Sequence, residues 1–120
     1  MAFKNLRRRL TASADELDRD RLCNHYAALG LTAIDEAPRR IPVRVGGEVQ
    51  ALEVVPRAGS PSLEVVFSDG NGKAVAVFTG RRRIAGVSPG RGILVEGVGR
   101  DERGRLVLLN PAYTLLPQAG

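Results

Sequence analysis

The sequence predicts an all-β domain of five strands that closes on itself, preceded by an N-terminal α-helical extension. Three observations carry this. Two β-rich runs, Leu63–Ser68 and Lys73–Phe78, flank Asp69-Gly70-Asn71-Gly72, and glycine and asparagine tolerate the positive φ of tight hairpin turns. A run from Ile41 alternates apolar residues through Val43, Val45 and Val49, then resumes one position out of phase at Leu52 and Val54. A glycine bend at Gly46-Gly47 followed by a phase slip is what one strand needs to serve two sides of a small barrel. Finally, Gly80–Gly90 is too short and too glycine-rich for a crossover helix.

At 120 residues the chain fits one domain with appendages. Its aromatic content is only 4%, so the core must rest on Val, Leu and Ile. The net charge is +5, and of 18 basic residues only Lys4 and Lys73 are lysines. Arginine bonds phosphate in a fork and stacks on bases, so this balance suits nucleic acid. It equally suits a host with arginine-rich codons. Cys23 is the only cysteine and His25 the only histidine. That leaves no internal disulfide and no Cys/His zinc site within one chain. No apolar run follows Arg7-Arg8-Arg9, and none approaches the ~20 residues of a membrane helix. Cytoplasmic location, without a membrane, metal or cofactor, is the expectation.

Residues 1–12 read as a basic arm. Ser13-Ala14-Asp15-Glu16 reads as a capping box, with Asp15, Glu16 and Asp18 favoured by the helix dipole. A helix is expected from about Ala14 to Leu29, stopped by Gly30, with Leu17, Leu22, Tyr26 and Leu29 on its apolar side. Leu31–Arg40 is a solvated connector. Residues 1–40 thus form arm, helix and linker, 41–116 the barrel, and 117–120 a tail.

The first strand is expected to end at Pro56, with Arg57–Pro61 a loop. The hairpin then sets a parity. Pairing Ser68 with Lys73, or Asp69 with Gly72, puts Phe67 opposite Ala74, and opposed residues share a face. Leu63, Val65, Phe67, Ala74, Ala76 and Phe78 therefore face the core, and Glu64, Val66, Ser68, Lys73, Val75 and Val77 face away. Ile84 and Val87 should tuck inward from the Gly80–Gly90 turn. Ile93–Gly99 is the fourth strand, Asp101–Gly104 a turn, and Arg105–Leu109 the fifth strand. Asn110-Pro111 interrupts before a short extended tail, Ala112–Leu116.

These residues carry a resemblance. Val43-x-Val45-x-Gly47-x-Val49, then Leu63 to Asp69-Gly70-x-Gly72, then Pro89-Gly90-x-x-Ile93-x-Val95-x-Gly97, is similar to the OB-fold nucleic-acid-binding families. Those include anticodon-binding domains of aminoacyl-tRNA synthetases and the wedge domain of branch-migration helicases. The whole chain resembles the small stand-alone OB-fold proteins of actinobacteria. The resemblance implies a five-stranded OB-fold barrel over residues 41–116 and binding of single-stranded DNA or RNA. One departure stands out: the parity puts Phe67 and Phe78 inside, so the usual stacking platforms, worth ~1–3 kcal/mol per base, are missing.

Affinity must then come from arginine–phosphate contacts. The candidates are Arg44 on the first strand, Arg57 in the first loop, Lys73 at the hairpin, and Arg81, Arg82 and Arg83 after it. Arg103 and Arg105 lie at the last turn, and Tyr113 offers the one exposed ring. Arg57 and Arg103 fall in the first and fourth inter-strand loops, which flank the binding face of an OB-fold. The alternative is a protein-interaction barrel, docking a partner, a second copy or its own helix on Val66, Val75 and Val77. An enzyme is not expected. No nucleophile–base pair is visible, and Gly70-Asn71-Gly72 and Gly97-Val98-Gly99 precede no helix that would make them a dinucleotide fingerprint.

Overall fold

A computed structural model describes residues 2–117, with side chains described from Ala14 onward. Helix α1 spans Ala2–Ala27. It begins well before the expected Ala14, so Ser13 lies inside it and does not cap it. The reason is local. Residues 2–11 contain no glycine or proline, and Leu6, Arg7, Arg8, Arg9 and Leu10 among them propagate a helix. Gly30, at φ +71°, ends the following turn as expected.

The linker is less solvated than its composition suggests. A 3-10 turn over Ile34–Glu36 buries Ile34, and Ala37 is buried beside it. The Ile34 backbone N–H donates to Asp69 Oδ2 at 2.8 Å. The other Asp69 oxygen accepts from the Asn71 and Gly72 amides at 2.9 and 3.0 Å. One buried carboxylate thus satisfies the hairpin turn and pins the linker to it.

Six strands follow: β1 Pro42–Arg57, β2 Ser60–Ser68, β3 Lys73–Thr79, β4 Gly92–Glu102, β5 Arg105–Leu109 and β6 Ala112–Leu115. They pair in the order β1-β2-β3-β5-β4, and β4 pairs back onto β1, closing a five-stranded ring. Every pairing is antiparallel except β3 with β5. Strand β6 pairs with the first half of β4. The described chain is mostly β with one N-terminal helix, as the sequence predicts.

The hairpin register is Ser68↔Lys73 and Phe67↔Ala74, so the parity argument holds. Leu63, Val65, Phe67, Ala74, Ala76 and Phe78 join Val45, Ile93, Val95, Leu106 and Leu108 in one core. Ile84 and Val87 are tucked into the same core. The expected phase slip is a bulge between Val49 and Ala51.

Strand β1 runs through Pro56, where the sequence suggests a stop. Ala58 and Gly59 turn with φ +50° and +80°, the paired positive values of a two-residue hairpin. Arg57 opposes Ser60 next to the turn, and Pro56 opposes Pro61. Hydrogen-bonded and non-bonded pairs alternate along an antiparallel ladder. The prolines meet at a non-bonded pair, where no N–H is required. Arg57 is therefore a strand residue, not a loop residue.

Candidate functional site

The ring presents an outer face on β2, β3, β5 and β4. Register fixes its members. Val66, Val75, Val107 and Arg100 lie side by side across four strands. Glu64 opposes Val77, and Glu102 opposes Arg105. Val75, Val77 and Val107 form a second apolar cluster separate from the main core, with Val66 packed against it.

This strip is covered. Val75 is 1% exposed, and Val77 and Val107 are 0%. The sequence offers α1 as one cover; on the same face Arg57 joins two carboxylates. Its Nη2 donates to Glu64 Oε2 and to Glu102 Oε1, both at 3.1 Å. Nη1 adds a bond to the other Glu102 oxygen at 3.3 Å, making that contact forked. Glu64 belongs to β2 and Glu102 to β4, and β3 and β5 lie between them. On the other side of the ring, β1, which carries Arg57, pairs with both β2 and β4. Arg100 also pairs with Glu102. The hydrogen bond from Arg57 holds the Glu102 carboxyl below the usual carboxylate range.

Helix α1 docks at the hairpin end, on three glycines. A side chain at Gly70 would lie 2.5 Å from the Arg19 carbonyl and 2.7 Å from Cys23 Sγ. Gly46 and Gly92 leave room for the Tyr26 ring and hydroxyl. Leu22 and Tyr26 are buried there, whereas Leu17 and Leu29, expected on the same side, are exposed. Burial pushes the Tyr26 hydroxyl up to about 12. The helix reaches the outer face only at its edge, where Asp15, Asp18, Arg19 and Leu22 line an open groove with Ser68 and Lys73.

The structure brings some expected site residues together and separates others. Lys73 and Arg105 start neighbouring strands, since Ala74 pairs with Leu106. With Arg57 and Arg100 they place four cations against Glu64 and Glu102 on one face. Arg103, at φ +54°, occupies the two-residue β4–β5 turn beside them. Arg81, Arg82 and Arg83 leave the far end of β3 and are exposed. Near that end Tyr113 is 38% exposed and meets Phe78 edge-on, with ring centres 5.5 Å apart. Arg44 stands apart on the β1–β4 side, opposite Glu96 in register and 3.9 Å from its carboxylate. Among the described residues, Lys73, Arg81, Arg82, Arg83, Arg103 and Arg105 make no ion pair.

Arg100 and the two glutamates are functional neighbours that sequence reasoning misses. Parity already puts Glu64 on the outer face. Its partner Arg57 is seven residues away on the same hairpin, but nothing local signals Glu102, which is 45 residues from Arg57.

No protein-family model matches the chain, and no curated protein matches it either. Among the described residues no group of three or more His, Cys, Asp or Glu could hold a metal ion, and no helix is long and apolar enough to cross a membrane.

Proposed function

We propose that this chain is a non-enzymatic nucleic-acid-binding module with an OB-fold, which takes single-stranded DNA or RNA through arginine–phosphate contacts. The ring order β1-β2-β3-β5-β4, a long bent β1 and a loop in place of a crossover helix support the fold reading. The observation that carries the function is the outer face. It sets Lys73, Arg105, Arg100 and Arg57 around a valine strip, between the β1–β2 and β4–β5 turns. OB-folds bind oligonucleotides on the strands next to those two loops. Arg81, Arg82 and Arg83 extend the basic surface past the end of β3, near Tyr113. Fold analogy supplies the ligand class, and the charges supply the means.

A protein-docking barrel is the other reading. It needs Val66, Val75 and Val77 exposed to a partner or second copy, and Val75 and Val77 are buried within the single chain. That favours the nucleic-acid reading.

The test is a triple substitution. Replacing Arg81, Arg82 and Arg83 together with alanine weakens binding to labelled single strands and leaves the fold intact. For every phosphate that is no longer neutralised, the dependence of log K on log salt flattens by ~0.7 on a single strand. An unchanged slope, with circular dichroism showing a folded protein, would mean that these arginines do not touch phosphate.

A further inference from the structure

We infer that Glu64 and Glu102 are intramolecular competitors for phosphate: they hold Arg57 across the outer face, and a strand gains the face only by taking Arg57 from them. This rests on the nucleic-acid reading above. It concerns what the free protein does with the arginine that reading needs most.

The chemistry of the bridge points this way. A guanidinium presents a planar fork that fits a carboxylate and a phosphate alike. Glu102 occupies one fork of Arg57 with two bonds at 3.1 and 3.3 Å, and Glu64 Oε2 takes Nη2 and Nε at 3.1 and 3.4 Å. These four bonds use four of the five guanidinium N–H groups, so a strand can form a full fork with Arg57 only by displacing a carboxylate. Lys73 and Arg105, on the same face, have no ion-pair partner among the described residues. They and Arg81–Arg83 can meet a strand first, and Arg57 is exchanged second.

The position of the bridge adds to this. It joins the arm that ends in the β1–β2 turn to the strand that ends in the β4–β5 turn. On the same face Val75, Val77 and Val107 are buried.

One of the two buried side-chain polar atoms without a partner among the described residues lies on this face. Ser62 is fully buried and its Oγ has no hydrogen-bond partner. Ser62 lies two residues before Glu64 on β2, and so on the same face. A buried, unpaired hydroxyl works against the closed arrangement and in favour of one in which water or a strand reaches it.

The experiment measures binding of a labelled oligothymidylate and a labelled oligouridylate to the full chain and to Glu102→Gln, with Glu64→Gln as a second variant should Glu102→Gln fail to fold. Glutamine keeps the shape and removes the charge. The expected result is tighter binding by the variant, by roughly 5-fold, the equivalent of one partly exposed ion pair. A second readout needs no nucleic acid. A Val77→Cys thiol, placed in a Cys23→Ser background, is protected from a thiol reagent in the otherwise unaltered chain and is labelled faster once Glu102→Gln is added. Equal or weaker binding by a folded Glu102→Gln protein, when the unaltered chain binds, would overturn the competitor role and leave the nucleic-acid reading standing. No binding by either protein would overturn both. Unchanged Val77→Cys labelling would show that the Glu102 bond does not keep the face closed.

Discussion

Two contacts cover parts of the ring's outer surface, and they are built from opposite materials. At the hairpin end, glycines remove side chains so that α1 can approach, and the fit is one of shape: Gly70 against the Arg19 carbonyl, Gly46 and Gly92 against Tyr26. On the β2–β3–β5–β4 face, a single arginine is held by two carboxylates, one on β2 and one on β4. The first contact is one of close approach, with a single exposed ion pair, Arg21 with Glu48 at 3.2 Å, beside it. The second is a charge-assisted bond that salt weakens and phosphate imitates. The helix is therefore a fixed part of the fold, whereas the arginine bridge is the part that can exchange.

The largest expected effect disrupts the helix seat. Gly70→Ala adds a Cβ where the backbone carbonyl of Arg19 stands 2.5 Å away, at a residue with φ +88°. Neither the carbonyl nor the positive φ yields cheaply, so the cost is about 3 kcal/mol or more. Denaturant unfolding should show that loss, and it should be insensitive to salt. A Gly70→Ala protein of unaltered stability would mean that the helix does not sit on this turn.

A smaller effect comes from removing the bridge. Arg57→Ala leaves Glu64, whose side chain is only 11% exposed, without its cation. A mostly buried carboxylate without its charged partner costs about 1–3 kcal/mol. The pH dependence separates the two regions further. Glu102 sits below its ordinary value of 4.5 in the folded chain. Its contribution to stability is therefore present above pH 4.5 and disappears as pH falls through the folded value. The acid limb should be shallower in Arg57→Ala, which keeps only Arg100 on Glu102, while Gly70→Ala should keep the full acid limb. Equal acid limbs in the two variants would contradict the assignment of that charge to the bridge.

The same contrast separates what the sequence makes legible from what it does not. The hairpin, its parity and the bulge follow from local pattern: Asp-Gly-Asn-Gly between β runs, and a phase change from Val49 to Leu52. Tyr26 and Leu22 read as apolar helix residues and are buried. The start of α1 is misread because Ser13 and Glu16 match a cap while the preceding residues are equally good helix formers. The turn at Ala58 is missed because a non-glycine residue takes φ +50° there, and because Pro56 reads as a stop until its partner is known to be Pro61. Ile34 looks solvated among Asp35, Glu36 and Pro38, and only its bond to Asp69 draws it inward. For the site, arginine abundance is visible and arginine employment is not. Arg57 reads as a loop cation free to bind phosphate; its partner on β2 comes from the same hairpin, but its partner on β4 meets it only after the ring closes.

Binding of the unaltered chain to a labelled single strand, measured from low to moderate salt, decides whether the basic surface serves phosphate. If Arg81, Arg82 and Arg83 each neutralise a phosphate, log K falls linearly with log salt with a slope of at least about −2, from ~0.7 per phosphate on a single strand. A strand that does not bind at low salt, or one whose binding ignores salt, would contradict the claim that this basic ring is an arginine–phosphate surface.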